Sequence, residues 1–267
     1  MVKKLYRYEF ISMIRSLGLF YAVLLGISIL GRLIQFFESD TVAYSIVFRS
    51  TLFFFAVGCI VLLVVTVIQA IRRFYMNLYS SEGYISFLLP VTRGQHIRVK
   101  LITALVFTLF SILVCLASAA IMMGLDLTGE VFKAIGYILG EFIEEFGVAN
   151  IVFYLLEGIV LVVLAFAVSY MQLYSCLSIG QLAKKRILAA VGVYFAYYVI
   201  GQILSTVLLI FLFLNPWLQE WVLSLLGTHA AEALHIWLLA PIVFQCLLFV
   251  LFSILTYLPM KKKLNLE

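Results

Sequence analysis

Side chains that could act as acids, bases or metal ligands are few in this sequence, and they are far apart. They include two aspartates, three histidines and four cysteines without C-x-x-C spacing: Asp40, Asp126, His96, His229, His235, Cys59, Cys115, Cys176 and Cys246. A membrane protease or a zinc enzyme needs such groups close together. The motifs H-E-x-x-H, G-x-S-x-G and G-x-x-x-x-G-K-[ST] are also missing. The sequence therefore predicts a protein that is not an enzyme by itself, with no metal site and no phosphate-binding loop for ATP.

Arg49 and Glu157 are charges embedded in long apolar runs. Each lies one to two turns inside a predicted helix, counted from its outer end, where a charge is costly unless it is paired or hydrated. Two interpretations are open. The two side chains face each other or a water-lined pathway in the outer leaflet, or each extends separately to the lipid headgroups.

The long polar stretch between two very hydrophobic runs covers residues 72–100. It carries five basic residues against a single acid, Glu82. Short basic loops beside membrane spans are typical of the cytoplasmic side. Within it, Tyr84, Phe87 and Leu88 recur at helical spacing after a pair of serines, which predicts a short amphipathic helix. This helix either binds the bilayer or a soluble partner, or it is a connecting turn with aromatic anchors.

A second helix start follows this short helix after Pro90. The segment Thr92-Arg93-Gly94-Gln95 has the T-x-x-Q pattern of a capping box and precedes an apolar run. The loop is therefore predicted to be structured along its length.

Composition determines the class of the whole chain. It is 65% hydrophobic and 12% charged, with a mean hydropathy of +1.17, which is typical of a membrane protein with several spans. We predict an all-α polytopic membrane protein with six transmembrane helices, forming a single domain over residues 1–267. Its predicted segments are an amphipathic interfacial helix (1–16), spans 1 and 2 (17–71), the cytoplasmic loop (72–100), spans 3 and 4 (101–177) around an external amphipathic helix (127–146), and spans 5 and 6 (187–258) around a broken external, re-entrant segment (215–228).

The distribution of charge predicts the orientation of these spans. Most of the 18 basic residues fall in the first helix, the central loop, residues 184–186 and residues 261–263, which all lie on the same side of a six-span chain. By the positive-inside rule both termini are cytoplasmic. The net charge of +5 is thereby explained by topology, and we predict the lipid bilayer, rather than nucleic acid, as a partner.

This layout resembles that of the type-2 ABC exporter permeases, and the central loop resembles a bacterial branch of them. The resemblance in sequence lies in Arg73-Phe74-Tyr75, Glu82-Gly83-Tyr84, Leu89-Pro90-Val91-Thr92 and Gln95-His96. The architecture of the whole chain matches as well, from the amphipathic entry helix to the broken segment between spans 5 and 6.

The resemblance implies a transport function for the chain and a role for the loop. The short helix would be the coupling helix that docks on a separate ATPase subunit, with contacts from Glu82, Gly83, Tyr84, Phe87 and Leu88. Two permease subunits, identical or different, would enclose the pathway in a bacterial cytoplasmic membrane. ATP and Mg²⁺ would bind to the partner ATPase, and this chain would bind no cofactor itself.

Other function classes stay open from the residues. One is a sensor or resistance module that signals to a partner without net transport, and another is an unrelated six-span channel or membrane enzyme. The resemblance covers exporters of drugs, peptides, lipids and glycans, so it does not select a substrate.

Overall fold

The computed structural model describes residues 2–37, 41–80, 82–88, 90–228 and 230–262, and every regular element within these ranges is an α-helix. The helices are α1 (Val2–Gln35), α2 (Val42–Tyr79), α3 (Glu82–Leu88), α4 (Arg93–Phe146), α5 (Val148–Gly180), α6 (Arg186–Leu214), α7 (Pro216–Thr228) and α8 (Ala230–Lys262). Six stretches are long and apolar enough to cross a membrane: α1, α2, the part of α4 up to Gly124, α5, α6 and most of α8. The prediction of an all-α chain with six candidate spans is confirmed.

The chain divides into two compact units, which we describe separately. Unit 1 comprises residues 1–76 and 87–140, and unit 2 comprises residues 77–86 and 141–267. That the chain forms a single domain stays a prediction.

The core of unit 1 is formed where α1, α2 and α4 meet. Met13 and Leu17 of α1 are almost fully buried against Phe107 of α4. A chain of hydroxyl groups crosses the same core, because Ser111 lies 3.0 Å from the Tyr21 hydroxyl and 2.9 Å from Thr66. Buried hydroxyls need such partners in an apolar environment, so this chain fixes how the three helices pack.

α1 is one continuous helix of 34 residues. The sequence predicted an interfacial helix over residues 1–16 that turns into span 1, but the backbone has no break at that position. Gly18 lies two residues beyond this position, but one glycine lowers helical propensity without ending a helix, and α1 contains no proline. Whether its first turns lie on the membrane surface stays a prediction.

α4 contains a kink at Gly124, where φ is +78° and ψ is 172°. This backbone conformation is accessible to glycine and strained for other residues. Gln35 of α1 donates to the carbonyl of Met122 at 2.9 Å, and the Thr128 hydroxyl donates to the Gly124 carbonyl. These two bonds satisfy carbonyl groups that the kink removes from the helical ladder.

Arg32 of α1 packs on the same kink. Its guanidinium touches Gly124 so closely that a Cβ atom there would overlap it, and its Nη1 donates to Gln35 at 2.8 Å. A cation at this place also interacts favourably with the carboxyl end of the helix that leads into the kink.

Beyond the kink, α4 continues to Phe146 as the predicted external amphipathic helix. Its apolar side chains, such as Phe132 and Phe142, are exposed, and so are the glutamates on the opposite face, such as Glu141 and Glu144. The helix ends at Gly147, whose φ is +81°. Its position on the outer membrane surface stays a prediction.

Unit 2 is built around α5, which packs against both α6 and α8. The turn between α5 and α6 is tight, since a Cβ atom on Gly180 would come within 2.7 Å of the Ala190 amide nitrogen. Glycine is therefore required at that close approach. Pro241 lies inside α8, where it removes one helical hydrogen bond without ending the helix.

The predicted break between spans 5 and 6 is present in the backbone. α6 ends at Leu214, Asn215 has an extended conformation, and Pro216 is the first residue of α7. Proline suits that position because the first helical amide has no partner in the helix. α7 contacts α6 and α8. Whether this segment is external or re-entrant stays a prediction.

Candidate functional site

The short helix α3 presents two apolar side chains to its surroundings. Tyr84 is 58% exposed and Leu88 is 83% exposed. Because they are four residues apart, they lie side by side on one face of the helix. The helix begins with a turn in which the Gly83 amide donates to the Ser80 carbonyl at 2.8 Å. Residue 81 and the side chain of Glu82 lie outside the described part of the chain.

Phe87, another apolar residue of α3, packs inward. It is half-buried, its ring centroid lies 6.0 Å from that of His96, and the Arg93 guanidinium stands 5.8 Å from the ring centroid. Phe87 thus joins α3 to the first turn of α4 through an aromatic contact and a cation–π contact.

The predicted capping box at the start of α4 is confirmed. The Thr92 amide donates to the Gln95 side chain at 3.0 Å, and the Gln95 amide donates to the Thr92 hydroxyl at 3.4 Å. This reciprocal pair satisfies two amides at the helix start. The backbone at the end of the loop is therefore held by hydrogen bonds between Thr92 and Gln95.

A buried charge cluster in unit 1 holds α2 and α4 to α1. The Glu9 carboxylate is 3% exposed and accepts from Arg73 Nε at 2.9 Å and from Lys100 Nζ at 2.8 Å. Lys100 also donates to the Arg73 carbonyl at 3.0 Å. Arg73 lies near the end of α2 and Lys100 near the start of α4. Both helices that flank the central loop are therefore tied to one carboxylate on α1.

The sequence prediction does not include this cluster. Arg73 and Lys100 belong to the basic stretch 72–100, and Glu9 is not among the predicted site residues. One local signal was present, since Glu9 lies four residues from both Leu5 and Met13, on the apolar stripe of α1. An acid in an apolar stripe needs a cation as partner, but the sequence does not say which one.

A small cavity adjoins the cluster. It has a volume of about 10 Å³ and is lined by Glu9, Met13, Ala70, Arg73, Lys100, Thr103 and Ala104. The Thr103 hydroxyl oxygen is buried and has no hydrogen-bond partner among the described residues. The lining thus combines polar and apolar residues.

The end of α2 is held by a second set of contacts, which belong to unit 2. Tyr79 is fully buried, and its hydroxyl lies 2.6 Å from the Ser178 hydroxyl of α5. Arg186, the first residue of α6, donates to the Tyr79 carbonyl at 3.4 Å. The last residue of α2 is therefore fixed to the turn between α5 and α6.

Glu157 pairs with a histidine that the sequence analysis left unassigned. His235 Nδ1 lies 3.0 Å and 3.2 Å from the two carboxylate oxygens. The Tyr154 ring packs 4.5 Å from the imidazole, and its hydroxyl donates to the Ala231 carbonyl at 2.9 Å. The pair joins α5 to α8 within unit 2, 78 positions apart in the chain, so no local pattern reveals it.

Arg49, the other charge that the sequence singled out, is exposed on α2. It belongs to unit 1 and Glu157 belongs to unit 2. Their pairing, or a shared pathway, stays a prediction.

Neither a metal-binding group nor a known relative indicates a function for the described residues. Among the described residues, the His, Cys, Asp and Glu side chains form no group of three or more that could hold a metal ion. Comparison with known protein families, curated proteins and solved structures finds no match for this chain.

Proposed function

We propose that this chain is the membrane-spanning permease subunit of an ATP-driven exporter. The observation that carries the proposal is the exposed pair Tyr84 and Leu88 on α3. A seven-residue helix with two large apolar side chains exposed on one face is suited to insertion into a cleft on another protein. Tyrosine is among the residues that most often dominate the binding free energy of a protein interface.

The contacts around the loop support a mechanical role for α3. The loop connects the end of α2 to the start of α4. Glu9 binds Arg73 of α2 and Lys100 of α4. A displacement of α3 acts on both helices through the backbone. Because the cluster is buried and ionic, its members move together, and α1 moves with them.

The energy source in this proposal is a separate subunit. The sequence has no phosphate-binding loop, so ATP and Mg²⁺ bind to a partner ATPase that docks on α3. A second permease subunit, identical or different, completes the pathway. The complex works in a bacterial cytoplasmic membrane with both termini of this chain in the cytoplasm.

The test is copurification of the full-length protein from detergent-solubilised native membranes. Wild type is compared with the double variant Tyr84→Ala, Leu88→Ala, and copurified proteins are identified by mass spectrometry and assayed for ATP hydrolysis. We expect a P-loop ATPase with wild type and about tenfold less of it with the variant, the effect of losing a hot-spot pair.

The matched control is Tyr137→Ala, Ile138→Ala, which removes an exposed tyrosine and an exposed aliphatic residue from the predicted outer helix. It should retain the ATPase. An absence of any ATPase with wild type contradicts the exporter proposal. Equal recovery with wild type and the α3 variant contradicts the assignment of α3 as the coupling helix.

A further inference from the structure

All three tryptophans of the chain lie in one short stretch of unit 2. They are Trp217 and Trp221 of α7 and Trp237 of α8, and they are 68%, 45% and 74% exposed, respectively. In membrane proteins, tryptophan is enriched where the hydrocarbon core meets the lipid headgroups, because its ring is apolar and its N–H group can donate a hydrogen bond. The three side chains therefore indicate a membrane–water boundary at this end of unit 2.

The length of α6 places its last residue at such a boundary. α6 has 29 residues, which is about 43 Å of helix at the usual rise. It begins at Arg186, directly after the exposed Lys184 and Lys185, and such charges stay out of the hydrocarbon core. The core is about 30 Å thick and spans seldom tilt by more than about 40°, so α6 crosses it completely. Leu214 therefore reaches the headgroup layer on the side opposite to these lysines.

The break after α6 suits the same layer. Asn215 is extended, and Pro216 is the first residue of α7. The Gln219 side chain donates to the carbonyl of Phe213, which is one of the last carbonyls of α6 and has no partner within the helix. Because backbone groups freed by such a break are costly in hydrocarbon, the break fits a hydrated environment better than the core.

α7 carries its two tryptophans side by side. Trp217 and Trp221 are four residues apart, so they lie on one side of the helix. Gln219, two residues from each of them, is exposed on the other side. A helix with this arrangement can lie along the bilayer surface with its aromatic rings among the lipid headgroups.

The Glu157–His235 pair gives an independent indication of the boundary. His235 comes two residues before Trp237 on α8, which is about 3 Å along the helix axis. Its Nδ1 lies 3.0 Å from the Glu157 carboxylate, and the two side chains are 26% and 16% exposed. An ionisable pair costs much less at the headgroup level, where water reaches it, than at the bilayer centre.

We propose that α7 lies along the membrane surface, in the headgroup layer on the side opposite to Lys184 and Lys185, and that Trp217 and Trp221 anchor it to the phospholipids. Its partner is the bilayer, which also covers the exposed apolar side chains of the neighbouring spans α6 and α8. This arrangement goes beyond the proposed transport function and does not depend on it. A re-entrant α7, or an α7 covered by a second protein, would place the two rings differently.

The experiment measures tryptophan fluorescence of the purified full-length protein in nanodiscs. Their phosphatidylcholine carries bromine either near the headgroup or near the end of the acyl chain, and the quenching by the two lipids gives the depth of each ring. Trp221→Phe with Trp237→Phe keeps only Trp217, and Trp217→Phe with Trp237→Phe keeps only Trp221. We expect the same depth for both rings, about 15 Å from the bilayer centre, which is half the thickness of the hydrocarbon core.

The matched control is Tyr198→Trp in a chain whose three native tryptophans are replaced by phenylalanine. Tyr198 is exposed near the middle of α6, so its replacement should lie within about 5 Å of the bilayer centre. Bromine near the end of the acyl chain should quench this ring more strongly than bromine near the headgroup.

Wild type gives a measurement without substitutions, because all its tryptophans lie in this stretch. Bromine near the headgroup should quench its fluorescence more strongly than bromine near the end of the acyl chain, and the reverse order contradicts the proposal. A difference of about 6 Å between the depths of Trp217 and Trp221, the rise of four residues, would show a steeply inclined, re-entrant α7. If neither lipid quenches these two rings, water or another protein surrounds them, and the proposal is wrong.

Discussion

The Glu9 carboxylate lies buried between two cations, and its removal would take away a negative charge that both of them contact. A buried ion pair adds little to stability compared with apolar residues of the same volume, but breaking one is expensive. Glu9 is thus a residue whose importance comes from its neighbours. It sits on α1, far along the chain from the loop whose ends it holds.

At the residue scale we predict that Glu9→Ala lowers the free energy of unfolding by about 3–5 kcal/mol, because Arg73 and Lys100 remain buried with excess charge. The measurement is thermal or denaturant unfolding in detergent. Glu141→Ala, which removes an exposed acid, should change stability by less than about 0.5 kcal/mol.

The double variant Glu9→Ala, Lys100→Met separates charge from packing. Removing one cation together with the acid restores the original net charge, so part of the lost stability should return. If the double variant is less stable than Glu9→Ala by the full cost of a second core mutation, the loss does not come from uncompensated charge.

At the scale of single elements, α4 shows how one residue can redirect a long helix. The kink at Gly124 separates the apolar span from the amphipathic helix that follows, and Gln35, Thr128 and Arg32 stabilise it. Two of these side chains hydrogen-bond to backbone carbonyl groups at the kink, which stabilises the break in the helix.

We predict that Gly124→Ala destabilises the protein by about 1–3 kcal/mol, because a residue with a Cβ is strained at this φ and collides with Arg32. Gly136→Ala is the control in the same helix. Gly136 has open space around it, so alanine should raise stability slightly, by up to about 1 kcal/mol. Equal melting temperatures for the two variants would show that the kink does not depend on glycine.

The sequence predicted elements better than it predicted contacts between them. Hydrophobic length located the six candidate spans and the break between spans 5 and 6, and the T-x-x-Q pattern located the capping box at Thr92, because these signals are local. The partners of Glu9 lie 64 and 91 positions away. No periodicity records such contacts, so the charge cluster and the Glu157–His235 pair required the fold.

For the whole molecule, the property that can be tested is the orientation of the protein in the membrane. The proposed function requires that α3 and the α5–α6 turn lie in the cytoplasm, because an ATPase must reach α3 there. It also requires the amphipathic part of α4 outside. The charge distribution predicts this arrangement, since basic segments adjoin the cytoplasmic ends of the spans.

We predict that a membrane-impermeant maleimide labels Tyr137→Cys in intact cells, and labels Lys184→Cys only after the cells are permeabilised. Both positions are exposed, and each substitution is made in a chain whose four native cysteines are replaced by serine or alanine. The reverse labelling pattern would mean that the topology is inverted, and the coupling proposal would then fail with it.

The pairing of Glu157 with His235 has a consequence for how the protein is made. The ribosome adds Glu157 to the chain 78 residues earlier than His235. At ordinary rates of translation, this is a delay of roughly 4–16 s. During that interval α5 holds an acid in an apolar helix whose basic partner, in α8, does not yet exist. Insertion of α8 ends this exposure. A nascent chain that stalls before α8 therefore carries the Glu157 carboxylate in an apolar helix without its His235 partner.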